Sequence, residues 1–282
     1  MSPRRRHSWA QRGRRLYDEL VDTPAGQLLV ALREVQLRDR ALTLAGQAFI
    51  ALVPLLIVVA SWIGTTGGAE VAEWLVDRFE LSGEAASAAR ALFSRPPDPT
   101  GGISVLGLVI LLVSVNSFGR ALQRTFEAAW RLPHRGPGRA LRGALGTATL
   151  IASIAVVAIV TGFSRDLPGG PLLAVPVQLA VAIPCWWLLT RLLLNLRVGW
   201  RACLPGAVLG AVSQVLTGWA GSIYVPLLIE RDAARYGVVG VAVALVSWLV
   251  VIAFVAVASA VAGAWASRML VELRAVPPAG PR

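Results

Sequence analysis

The chain contains no lysine, so all 27 of its basic residues are arginine, and it has only two histidines and two cysteines. Charged residues make up 15% of the sequence, against about a quarter in an ordinary soluble domain. These shortages exclude several chemistries. His7 and His134 lie far apart and have no flanking carboxylates, so the imidazole and carboxylate clusters that bind catalytic metals are missing. No P-loop, G-x-S-x-G, H-E-x-x-H or Cys-pair pattern occurs. Gly136-Pro-Gly138 sits in an arginine-rich stretch and reads as a turn. The sequence therefore predicts no metal, no cofactor and no enzymatic activity. Cys185 and Cys203 fall in one apolar segment and at the start of the next, at depths differing by over roughly 10 Å at 1.5 Å per residue. They read as small packing residues, not as a disulfide.

Apolar residues are abundant, at 56%. Asp, Glu and Arg are absent from six stretches: 41–69, 99–119, 143–164, 167–190, 202–229 and 236–267. The shortest has 21 residues, and roughly 20 apolar residues in a helix cross the hydrocarbon layer. Lipid offers no partner to a backbone amide, so runs of this length must be helical. The short alternating segments of a membrane β-barrel are missing. The expected fold is all-α: a polytopic membrane bundle of six transmembrane helices at about 41–63, 103–121, 145–163, 172–194, 204–224 and 238–264.

Arginine placement sets the orientation. Residues 1–40, 120–142, 191–201 and 268–282 hold 21 arginines, and the alternate connections 64–102, 164–171 and 230–236 hold six. Under the positive-inside rule both termini are cytoplasmic. No apolar core follows Arg4, Arg5 and Arg6 before residue 41, so the start does not read as a signal peptide. The net charge of +11 reads as topology determinants that touch anionic headgroups of the bilayer, with no nucleic acid partner. Trp62, Trp130, Trp200 and Trp265 fall near span ends, where indoles settle at headgroups.

Three segments flank or join the spans. Residues 1–40 form a basic arm with an inner interfacial helix over Pro24–Arg40. Residues 267–282 form a cytoplasmic tail. In the outer segment 64–102, Val71, Trp74, Leu75, Phe79, Ala85, Ala89, Leu92 and Phe93 recur at three- and four-residue spacing. They predict one or two amphipathic helices on the outer interface.

Polar residues within spans are the candidates for function, because the bilayer penalises them. No span carries a charge near its centre. Gln47 and Asn116 sit about 8–9 Å inside the inner ends of spans 1 and 2, and Gln178 and Gln214 lie in spans 4 and 5. Two readings stand side by side: interhelical glue, or the lining of a polar path for a neutral or zwitterionic substrate. Pro54 and Pro184 each remove a helical hydrogen bond and are expected to kink spans 1 and 4. Gly206 with Gly210, and Ser259 with Gly263, make small faces suited to close helix packing. A homo-oligomer is compatible with such faces.

Several local strings resemble the YihY/BrkB family of bacterial inner-membrane proteins. Arg201-Ala-Cys-Leu-Pro205-Gly206-Ala resembles its Pro-Gly helix start after a basic loop. Tyr224, Tyr236-Gly237 and Trp248 are similar in order and spacing. Asn116-Ser-Phe-Gly-Arg-Ala-Leu-Gln-Arg124 followed by Trp130, and Leu44-Ala45-Gly46 with Pro54, are similar to its first two helices. The resemblance spans about residues 30–270 and rests on the order of these strings. It implies an envelope-associated membrane protein. Relatives have carried the label ribonuclease BN, which the missing His and Asp cluster argues against. Ser259-Ala260-Val261 stands where the family often has Gly-Ala-Glu, so no role of that acid carries over. The reading favoured here is a transporter or lipid- or solute-translocating protein. The alternative is an interaction protein that binds a partner through outer helices 70–94.

Overall fold

The computed structural model describes residues 23–62, 105–133, 139–165 and 170–275, together with Glu73, Val76, Asp77, Gly83, Ala86, Ser87 and Arg90. The tails and most of the outer segment, including Trp74, Leu75 and Phe79, lie outside these residues. Among the described residues the fold is all helical: α1 Pro24–Glu34, α2 Leu37–Trp62, α3 Val105–Ala129, α4 Arg139–Arg165, α5 Gly170–Leu193, α6 Leu204–Tyr236 and α7 Val238–Ala275.

Helix boundaries follow local chemistry. Thr23 caps α1, its hydroxyl accepting the Gly26 N–H at 3.1 Å, with Pro24 in the first turn. The chain then breaks at Gln36, whose φ of 55° is left-handed. The inner interfacial helix expected over Pro24–Arg40 therefore ends at Glu34, and residues 37–40 belong to α2. At the other extreme, α6 runs twelve residues past the expected end at 224, to Tyr236. Val225, Ile229 and Ala233 recur at four-residue spacing there and are buried, so packing outweighs the charges of Glu230, Arg231, Asp232 and Arg235 on the other faces. Pro54 and Pro184 both lie inside continuous helices, α2 and α5, as does Pro176.

Successive long helices pack on one another, and α7 returns to α2, closing the bundle into a ring braced by contacts of α3 with α5 and α7. The core is mostly small and aliphatic, with Ala41, Leu44, Leu189, Leu193, Ala207 and Val261 buried around the rings of Phe126 and Trp186. Large apolar side chains also point outward, such as Ile154, Ile159, Leu216 and Val251. An outer surface of this kind suits hydrocarbon. Four helical stretches are long and apolar enough to cross a membrane: Leu141–Gly162, Ala174–Leu193, Leu204–Tyr236 and Val239–Val271. Helices α2 and α3 stand where spans 1 and 2 were expected but are not among those four. Val76 and Ala86 of the outer segment pack against Val225, Ile229, Ala233 and Ala244.

Candidate functional site: a polar track at the basic end of the bundle

Helices α3 and α5 end at the same end of the bundle, and both end in the same way. At α3 the Arg131 N–H donates to Ala128 O at 3.0 Å and the Leu132 N–H to Glu127 O at 2.8 Å. At α5 the Asn195 N–H donates to Leu192 O at 3.0 Å and the Leu196 N–H to Arg191 O at 2.8 Å. These are paired Schellman closures, with Arg131 and Asn195 in the left-handed conformation (φ 52° and 54°) usually given to glycine. Asparagine tolerates that conformation best among the side-chain-bearing residues.

The closures bring charged side chains together. Glu127, in the last turn of α3, is fully buried, and its carboxylate pairs with the Arg197 guanidinium at 2.9 Å. The Asn195 side-chain amide donates to the same oxygen, Glu127 Oε1, at 3.4 Å. Arg197 also donates to Pro133 O at 2.8 Å. Arg142, in the first turn of α4, donates to the Asn195 backbone carbonyl at 3.4 Å. Nearby, Arg40 bridges Val35 O (2.7 Å) and Arg124 O (3.2 Å), Arg268 reaches Ala129 O, and Arg131 pairs with Glu34. Guanidinium groups here satisfy carbonyls at the ends of α1, α3 and α5, where the helix dipole is negative.

One turn inward from Glu127 stands Gln123, with no exposed surface and with neither amide atom hydrogen-bonded. Its oxygen faces Gly143 of α4, where an added Cβ would lie 3.1 Å away. A fully buried amide without partners costs about 1–3 kcal/mol per unmade bond and requires an explanation. Asn116, Gln123 and Glu127 follow at spacings of seven and four, one face of α3. On the neighbouring α2, the Gln47 Oε1 is likewise buried without a partner. At 1.5 Å per residue from the basic ends of their helices, Glu127, Gln123, Gln47 and Asn116 lie at about 3, 9, 15 and 20 Å. Beyond the last charged residues of their helices, Arg40 and Arg120, Gln47 and Asn116 lie only about 10 and 6 Å further in, so the polar groups stay near the basic end.

The other candidate amides have protein partners. Gln178 donates to Thr161 Oγ1 of α4 at 2.8 Å. Gln214 Oε1 accepts from Ser153 of α4 at 3.0 Å and from the Trp186 indole of α5. Gln178 and Gln214 therefore tie α4, α5 and α6 together and stand apart from Gln47 and Asn116. The small faces separate too. Gly206 and Gly263 meet backbone to backbone across α6 and α7, where any Cβ on Gly263 would strike Gly206, whereas Gly210 receives the Trp186 ring. Ser259 turns its hydroxyl back to Val255 O at 2.7 Å. Trp130 and Trp265, placed at headgroups by the sequence, keep their indole N–H buried without a partner, and Trp130 stacks on Phe126 at 6.0 Å. Both are packing residues, while Trp200 is exposed. Among the described residues no group of three His, Cys, Asp or Glu is placed to hold a metal.

Glu127 and Gln123 escaped the sequence reading because charge counting assigned 120–142 to a connection, whereas α3 continues to Ala129. Their spacing from Asn116 was the available signal.

A closed ring of long apolar helices with lipid-facing side chains defines a multi-pass helical membrane protein. The family model described as Virulence factor BrkB matches residues 28–280, and the chain belongs to that family. No curated protein and no solved structure matches it.

Proposed function

We propose that this BrkB-family chain is a non-enzymatic translocating protein of the bacterial inner membrane, linked to envelope integrity, which passes a neutral or zwitterionic solute or a lipid along the polar track. The observation that carries this reading is Gln123: fully buried, unpartnered, and one turn inward from an ion-paired Glu127. Water or a substrate's polar atoms entering from the basic end would supply the bonds that Gln123 and Gln47 lack. No acidic side chain lies deeper on this track, and Arg120, three residues inward of Gln123 on α3, is exposed, which suits an uncharged or zwitterionic passenger.

In this reading α2 and α3 complete six spans. With 26 and 25 residues, they are about 39 and 37 Å long, enough to cross. The arginine-rich connections all meet at the Glu127 end, which the positive-inside rule places in the cytoplasm with both termini. The alternative, partner binding through 70–94, is weakened by Val76 and Ala86, whose apolar surface is already covered by α6 and α7.

Reconstitution tests the proposal. Vesicles containing the full chain are assayed for flip of headgroup-labelled phospholipid and for uptake of a panel of zwitterionic amino acids. Wild type is expected to move at least one class above protein-free vesicles, and Gln123→Leu to abolish it while folding normally. Equal rates for Gln123→Leu and wild type, or no movement by wild type, would sink the reading.

A further inference from the structure

Away from the polar track, a groove of about 330 Å³ opens at the basic end between the α5–α6 connection and the end of α7. Trp200, Arg201, Ala202, Pro205, Leu270 and Val271 line it. We infer that it is a binding site for a phospholipid with an anionic headgroup, the phosphate on Arg201 and an acyl chain running over Leu270 and Val271.

Depth is the first argument. Leu204 begins one membrane-crossing stretch and Val271 ends another. The groove therefore lies where the apolar layer meets the headgroups, and its walls change from apolar to charged at that level. Charge is the second. Arg201 is the one charged side chain among the described lining residues, and its guanidinium sits 4.8 Å from the Trp200 ring centroid. Stacking holds the guanidinium in place while leaving its N–H groups available for bidentate contact with a phosphate. Arg201 is exposed and Trp200 is 53% exposed, an arrangement suited to an interfacial anchor.

Rigidity is the third argument. The Trp187 indole N–H donates to Trp200 O at 2.9 Å, and the Ser267 hydroxyl donates to Ala202 O. Both walls are thus pinned without a ligand, which lowers the ordering cost of binding. Leu270 and Val271 point outward and are exposed, as an acyl-chain contact requires. Only the choice of the cytoplasmic leaflet rests on the orientation proposed above; the site itself is independent of transport.

The test is native mass spectrometry of the full chain titrated with phosphatidylglycerol or phosphatidylcholine of matched chains. Wild type is expected to bind phosphatidylglycerol more tightly. Arg201→Gln should weaken that binding about fivefold, the value of one arginine at an anionic surface, and leave phosphatidylcholine unchanged. Leu270→Trp, filling the groove, should weaken both lipids, and Arg231→Gln at the far end neither. Equal binding of the two lipids by wild type, or no effect of Arg201→Gln, overturns the site. So does binding of glycerol phosphate, which has no chains, as tightly as the lipid.

Discussion

At the basic end of the bundle, helix termini are joined by guanidinium groups: Arg197 on Glu127, Arg142 on Asn195, Arg40 and Arg268 on carbonyls of α3. At the far end, α6 and α7 meet through a tight turn at Gly237 (φ 59°), a close approach of Gly240 to the Asp232 carbonyl, and Gly221 against the Trp248 ring. An apolar cluster of Val225, Ile229, Ala233 and Ala244 fills that junction. The far end is stabilised by shape and dispersion, which tolerate little added volume. The basic end is stabilised by polar pairing, and it leaves Gln123 and Gln47 unsatisfied. If the chain translocates a polar passenger as proposed, the passenger belongs beside groups that still lack bonds, not in a junction already packed to backbone contact.

The largest effect that would break this contrast is at Glu127. Replacing its partner Arg197 by Ala leaves the fully buried Glu127 carboxylate without its guanidinium and should cost about 3 kcal/mol in thermal unfolding in detergent. A loss under about 0.5 kcal/mol would mean the pair is a surface decoration. At the far end, Gly240→Val forces a side chain into the Asp232 carbonyl and should cost about 2 kcal/mol, whereas Gly46→Val, with open space around it, should cost well below about 1 kcal/mol apart from its helix propensity term. Gln214→Leu removes bonds to Ser153 and Trp186 and should cost about 1 kcal/mol, the range of interhelical bonds in membranes.

Two smaller effects concern reactivity and pH. Cys203 is buried, and desolvation pushes its thiol up to about 11, although Arg191 acts in the opposite direction. It should react with maleimide at neutral pH far more slowly than the half-buried Cys185, as peptide mapping of the alkylated chain would show. On the outer segment, hydrogen bonding to Arg90 holds the Glu73 carboxyl below its usual range. A depressed carboxyl contributes stability above the ordinary glutamate range and loses it as pH falls through the lowered value. Any gap in melting temperature between wild type and Glu73→Gln should therefore be present at pH 7 and narrow as pH falls below the ordinary glutamate range.

Long apolar runs made the helices legible, because each run must bury or solvate its backbone in one way. Their ends were less so. The break at Gln36 carries no glycine or proline, and the closures at Arg131 and Asn195 place residues other than glycine in the left-handed conformation, so no glycine marks them. The extension of α6 to Tyr236 depends on Val225 and Ile229 meeting α7, which no local count reveals. The site was legible in part. The amides stood out against an apolar background, but which of them would find partners is a matter of tertiary placement: Gln178 and Gln214 do, and Gln47 Oε1 does not. Glu127 was hidden by its arginine-rich neighbours.

Accessibility of the track to water tests the central claim most directly. Single cysteines at Gln47, Asn116 and Gln123, in a chain with Cys185 and Cys203 replaced by alanine, are exposed to a membrane-impermeant thiol reagent, with a cysteine at the buried far-end Ala244 as reference. The account predicts labelling at all three track positions and none at Ala244. If the track positions stay as unreactive as Ala244, the basic end is as dry as the far end, and the translocation reading is wrong.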